Sequence, residues 1–189
     1  MKPSRRRLLR AGSALLAAGL APALRAQAPA AAPPEVASEL GGATLLGQGR
    51  LRFVGLRIYD ARLWARERFA PAAWASAAVA LELQYARSLV GKLIAERSLT
   101  EMQRQGAISA EKGQRWLAAM TAIFPDVGDG DRLTGLHRPG EAARFFFNGK
   151  PVGEVRDAEF ARFFFGIWLA PQTSEPGLRD ALLGAGKGG

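Results

Sequence analysis

The chain has no cysteine and a single histidine, His137. It therefore forms no disulfide, carries no cysteine-linked lipid and does no thiol chemistry, and a histidine-based triad or a zinc centre lacks its ligands. Only two tyrosines are present, Tyr59 and Tyr85. No Gly-x-Ser-x-Gly elbow or phosphate loop occurs, and Gly47-Gln48-Gly49 precedes an expected strand rather than a helix, which excludes a dinucleotide fingerprint. Asp126, Asp129 and Asp131 crowd one short turn, but the spacing is not that of an EF-hand and the glutamate at loop position 12 is missing. No catalytic residue, metal ligand or cofactor is expected from these patterns.

Long apolar runs are also missing. The most apolar stretch, Ala11 to Leu24, is interrupted by Gly12, Gly19 and Pro22 and falls short of the roughly 20 residues a membrane span needs. It follows the basic segment Ser4-Arg5-Arg6-Arg7-Leu8-Leu9-Arg10 and precedes Ala26-Gln27-Ala28. Residues 1–28 thus read as an export signal, twin-arginine-like or general secretory, cut after Ala26 or Ala28. The expected location is periplasmic, with no stable membrane anchor after cleavage. Six of the 26 basic residues and none of the 17 acidic ones lie in 1–28, so the net charge of +9 falls to about +3 for the remainder. Much of the basicity that would point to nucleic acid leaves with the signal, no basic cluster with interleaved aromatics remains, and no nucleic-acid partner is expected. Nothing in the residues identifies a protein partner.

What is present is one domain's worth of alternating and helical patterns. Residues 29–37, rich in alanine and proline, read as a disordered linker, 38–184 as the domain and 185–189 as a tail. Leu40 to Leu46 is an expected short strand, with Gly47 and Gly49 marking a turn. Arg50 to Trp64 reads as one long strand with two largely apolar faces, and Gly55 marks a candidate bulge. Val79 to Tyr85 alternates strictly. Ser88 is the expected cap of a helix to about Gln105, and a second helix starts near Ser109 and stops at Pro125. Short strands follow at 132–136, 143–147 and 152–155, with Asn148-Gly149 as a type I′ turn. His137 falls in a turn-rich stretch and is expected to be exposed. Asp157 caps a helix whose Phe160, Phe163, Phe164, Ile167 and Trp168 form one apolar stripe, and a last short helix spans Pro176 to Leu183. The string Ala-Arg-Phe-Phe-Phe occurs at 143–147 on a strand and at 161–165 on a helix, which makes it no structural repeat.

Several of these pieces, in this order, resemble the exported bacterial branch of the chalcone-isomerase-like family. They are the glycine-rich turn, Arg52 to Tyr59, Tyr85-Ala86-Arg87, Gly130-Asp131-Arg132, Asn148-Gly149, Phe164-Phe165-Gly166-Ile167-Trp168-Leu169, and Leu178 to Gly184. The resemblance implies an α+β fold, an antiparallel sheet layered with helices around a hydrophobic cleft. For the ring-closing members it also implies an arginine before the long strand, a threonine on it and a helical tyrosine. Alignment through Phe53 and Tyr59 puts Val54 at the threonine position and the arginine position near Gly42, and no arginine or lysine lies between Leu40 and Gly49. Both tyrosines fall on strands. The isomerase chemistry is not matched.

The other branch of the fold binds fatty acids without chemistry. On that resemblance the expectation is a small apolar or carboxylate ligand. The same alignment turns Val54 toward the cleft and with it Arg50, Arg52, Leu56 and Ile58, barring a bulge at Gly55, and Tyr85 and Arg87 end a neighbouring strand. A guanidinium on an apolar wall suits a carboxylate. Arg52, Val54, Leu56, Ile58, Tyr85 and Arg87 are the candidate ligand-binding residues. A structural ion pair for Arg52, a surface charge for Arg87 and core packing for Tyr59 stay open. So do an intramolecular lyase or isomerase using Arg52 and an interaction module with a collapsed cleft.

Overall fold

The computed structural model describes residues 30–184; the expected export signal and tail lie outside the described residues. Six antiparallel strands form one sheet in sequence order: β1 (Thr44–Phe53), β2 (Leu56–Ala65), β3 (Val79–Tyr85), β4 (Arg132–Arg138), β5 (Ala142–Phe147) and β6 (Lys150–Val155). The helices are α1 (Pro34–Glu39), α2 (Gly91–Gln103), α3 (Ala110–Ile123), α4 (Ala158–Leu169) and α5 (Pro176–Leu183), with a 3-10 turn at Pro71–Ser76. The expected α+β architecture is what forms.

Alternation along the strands builds two unequal layers. Leu63, Leu81, Leu83, Leu133, Phe145 and their neighbours meet α2 to α5 in the main core, where Phe160, Phe163, Phe164 and Trp168 of α4 pack. The two Ala-Arg-Phe-Phe-Phe copies meet there: the rings of Phe145 and Phe164 stand edge to face, 5.0 Å apart. Trp64, Ala80, Leu136 and Phe146 point the other way and are covered by Val36 and Leu40 at α1.

Three readings from sequence are corrected here. Residues 50–64 are not one strand. Val54 and Gly55 have φ of +48° and +77°, a two-residue turn of the I′ kind, and the chain folds back so that Phe53 pairs with Leu56. Gly47 and Gly49 mark no turn; both lie inside β1, opposite Leu63 and Ala61. They are small because α5 lies on them: a β-carbon at Gly47 would come 2.2 Å from the Ala181 carbonyl oxygen, and one at Gly49 would come 2.5 Å from Leu178 Cδ1. The expected linker ends early, since Pro34–Glu39 is helical. Glu35 of α1 accepts from Arg132 Nη2 (2.9 Å) and the Thr134 hydroxyl (2.9 Å), while Glu39 accepts from Arg138 (2.9 Å) and Arg144 (2.7 Å).

His137 is buried, not exposed. It alternates with Leu136 onto the main-core face of β4, 4.9 Å from the Phe165 ring, and its Nδ1 lies 3.0 Å from the Ala77 carbonyl. The acidic turn is tied up locally: Asp126 accepts from the Gly91 N–H (2.8 Å) and caps α2 in place of the expected Ser88, and Asp131 accepts from the Gly128 N–H (2.7 Å) and Asn148 Nδ2 (2.9 Å).

Candidate functional site

A cavity of ≈ 370 Å³ opens between the β1–β2 hairpin and helices α2 and α4, within the range of small-molecule sites. Leu51, Phe53 and Ile58 of the hairpin form one wall, and Leu89, Val90, Leu93 and Ile94 at the start of α2 form the other. Ile167 and Trp168 close it from α4, and Ser174 and Glu175 from the turn before α5. A bulge shapes the hairpin wall. Leu51 pairs with Tyr59 but Arg52 pairs with Arg57, so Ile58 is the additional residue. Ile58 and Tyr59 consequently both border the cavity, although adjacent residues of a regular strand face opposite ways.

The polar groups gather along the two tyrosines and the inner face of α2. Trp168 Nε1 donates to the Tyr59 hydroxyl (2.9 Å), which leaves the Tyr59 proton available to another acceptor. Tyr85 packs edge-on to Tyr59 with ring centroids 5.9 Å apart. Burial pushes both phenols well above their ordinary pKa, with the Trp168 bond opposing this at Tyr59, so both stay neutral across the physiological range. Arg97 and Glu101, one turn apart on α2, form an ion pair with Arg97 Nη2 2.5 Å from Glu101 Oε1. Glu101 is buried, and its Oε2 has no hydrogen-bond partner; Arg104 Nε stands 3.6 Å away. Ser98 donates to the Ile94 carbonyl (2.8 Å), so it is satisfied within its own helix.

Of the residues singled out from sequence, Ile58 and Tyr85 line this cavity and Arg52, Val54, Leu56 and Arg87 do not. The placement of Arg52, Val54 and Leu56 on a cleft-facing strand is corrected by the hairpin: Val54 is in the turn, Leu56 opens β2, and Arg52 reaches back to the Gly55 carbonyl (3.3 Å). No ion pair of Arg52 is found among the described residues. The cation that borders the cavity is Arg97. It was legible in principle, because Val90, Ile94, Arg97, Ser98 and Glu101 recur at helical spacing. The pattern does not tell a helix face that borders a cavity from one that fills a core.

Comparison with known proteins gives this geometry a setting. A family model described as chalcone isomerase-like matches residues 36–184, most of the chain. The chain belongs to the chalcone isomerase-like family. Within the curated proteins it is similar to an uncharacterized protein of Haemophilus influenzae, 32% identical over 107 residues, which is 57% of this chain and 52% of that one. The match thus spans about half the length of that relative. Among solved structures the fold resembles the crystal structure of an Arabidopsis thaliana fatty-acid binding protein, with a TM-score of 0.59 and 14% identity over 76% of this chain and 87% of the other. At that identity the likeness speaks for the fold.

Proposed function

We propose that this chalcone isomerase-like protein is a periplasmic carrier that holds a small apolar molecule with an acidic end, fatty-acid-like, and performs no chemistry on it. The observation that carries this reading is the cavity itself: aliphatic and aromatic walls on both sides, with a guanidinium and a neutral phenol donor along one border. The apolar part lies between Leu51, Ile58, Leu93 and Ile94. The carboxylate meets Arg97, whose guanidinium is ion-paired with Glu101, and the Tyr59 proton. The resemblance of the fold to a fatty-acid binding protein supports the same reading.

Titration with a fluorescent polyene fatty acid tests it. Saturable binding at one site is expected. Arg97→Ala should weaken it by on the order of tenfold to a hundredfold, the size of a hydrogen bond to a charged group, and Arg52→Ala should leave it unchanged. Absence of saturable binding, or equal affinity for a fatty alcohol of the same length, overturns the proposal.

A further inference from the structure

Five of the six large apolar side chains that stand exposed among the described residues crowd one place. Phe53 (65% exposed), Val54 (84%) and Leu56 (54%) form the tip of the β1–β2 hairpin, and Val90 (49%) and Leu93 (58%) stand at the start of α2. Phe53, Val90 and Leu93 border the same cavity, and Val54 and Leu56 continue from Phe53 around the hairpin tip. Scattered exposed aliphatics need no explanation, but a contiguous group does. The hairpin also keeps Val54, a β-branched residue, at a φ of +48°, where asparagine or glycine is the ordinary choice. An apolar side chain thus occupies the outermost position of the tip against the preference of the turn.

The charges beside the patch carry a basic excess. Arg52 and Arg57 flank the tip on strands β1 and β2, with Arg50 behind them, and Lys92 sits between Val90 and Leu93. Asp60 is shared by Arg50 and Arg57, Lys92 is 3.8 Å from Glu96, and Arg52 donates to the Gly55 carbonyl. Asp126 also stands here, capping α2 at the Gly91 N–H, so four cations face three carboxylates around the patch. The further acidic groups at the cavity sit elsewhere: Glu101 is paired with Arg97, and Glu175 lies in the turn before α5.

We propose that this tip docks on the surface of an anionic lipid bilayer, with Phe53, Val54, Leu56, Val90 and Leu93 entering the interfacial region and Arg52, Arg57 and Lys92 meeting lipid phosphates. Apolar residues ringed by basic ones are the chemistry of an interfacial site. No helix among the described residues is long and apolar enough to cross a membrane, so the contact lies on the surface. Docking there would place the cavity mouth against the bilayer, where an amphipathic molecule could pass without crossing water. The contact does not depend on which molecule the cavity holds.

Because the chain has no cysteine, one introduced thiol reports one position. An environment-sensitive fluorophore is attached to Val54→Cys, or for comparison to Lys150→Cys on β6, in the full chain. Each is mixed with vesicles of phosphatidylcholine and phosphatidylglycerol in equal parts, or of phosphatidylcholine alone. The expected result is a blue shift at position 54 on the anionic vesicles, a smaller one on neutral vesicles, and none at position 150. Arg52→Gln and Arg57→Gln in the labelled chain should each weaken the response about fivefold, the effect of one basic residue near an anionic surface. An unmoved label at position 54 overturns the proposal, as does an equal response at both positions. A shift that grows with protein concentration without vesicles overturns it as well, by showing that a second copy covers the tip.

Discussion

Replacing Gly47 by alanine should undock the last helix. The β-carbon would lie 2.2 Å from the Ala181 carbonyl oxygen and 2.4 Å from that of Leu182, and both are backbone atoms that no side-chain rotation can move. Helix α5 must lift or β1 must bend. What α5 contributes is chiefly Leu178 and Leu182, both buried in the main core. At about 1.5–3 kcal/mol for each buried leucine, full release costs ~3–6 kcal/mol. Gly49→Ala meets Leu178 Cδ1 at 2.5 Å, the end of a flexible side chain, so local repacking at about 1–3 kcal/mol is expected. Gly177→Ala serves as the control: it sits in α5 with nothing within 4 Å of its β-carbon and should stay within ~0.5 kcal/mol of the parent. Urea denaturation reads the difference. With a slope near 2 kcal/mol/M, Gly47→Ala should lower the midpoint by about 1.5 M or more and Gly49→Ala by roughly 0.5–1.5 M. A Gly47→Ala protein with the parent's midpoint and slope would refute the argument that these glycines exist to seat α5.

Two further outcomes are expected. Val54→Asn relieves a β-branched residue at positive φ in a turn that favours Asn-Gly, and should raise stability by on the order of 1 kcal/mol in the same assay; a loss would show that Val54 is held by contacts other than the turn. Burial holds His137 below its ordinary pKa of 6.5, against the opposing bond to the Ala77 carbonyl. The unfolded chain takes up that proton first, so stability is full above about pH 6.5 and declines as the pH falls toward the lowered value in the folded state. The profile of His137→Phe should be flat over that window, and a parent profile that is equally flat would contradict the assignment.

Residues with a period of their own could be read directly. Val79–Tyr85 alternates and is β3 to the residue, Ser109 and Asp157 cap α3 and α4 through their side chains, and Asn148-Gly149 makes the turn its composition dictates. The cleft wall could not, because its hairpin is disguised. Valine at the first turn position is a strong strand former, and both faces from Arg50 to Trp64 read as largely apolar through it, so Gly55 alone signals the reversal. Gly47 and Gly49 looked like punctuation for a related reason: the helix that requires them lies some 130 residues later. An unbroken strand would carry Arg52 into the cavity; the hairpin takes it away and leaves Arg97 there, with Ile58 and Tyr85 on the wall in either case.

Helix α1 has a temporal consequence. Its two carboxylates find their partners 97 to 105 residues downstream, on β4 and β5. A chain emerging from the ribosome can pair β1 with β2 and then β3 as each appears and so offer Val36 and Leu40 the side chains of Trp64 and Ala80, but α1 is not fixed by its ion pairs until Arg132, Thr134, Arg138 and Arg144 have been made. For most of synthesis the carboxylates of Glu35 and Glu39 are therefore without these partners. Its docking marks the moment at which the far side of the sheet closes, before α4 and α5 complete the main core, so protection of Glu35 to Glu39 from proteolysis would time the closing of that one face.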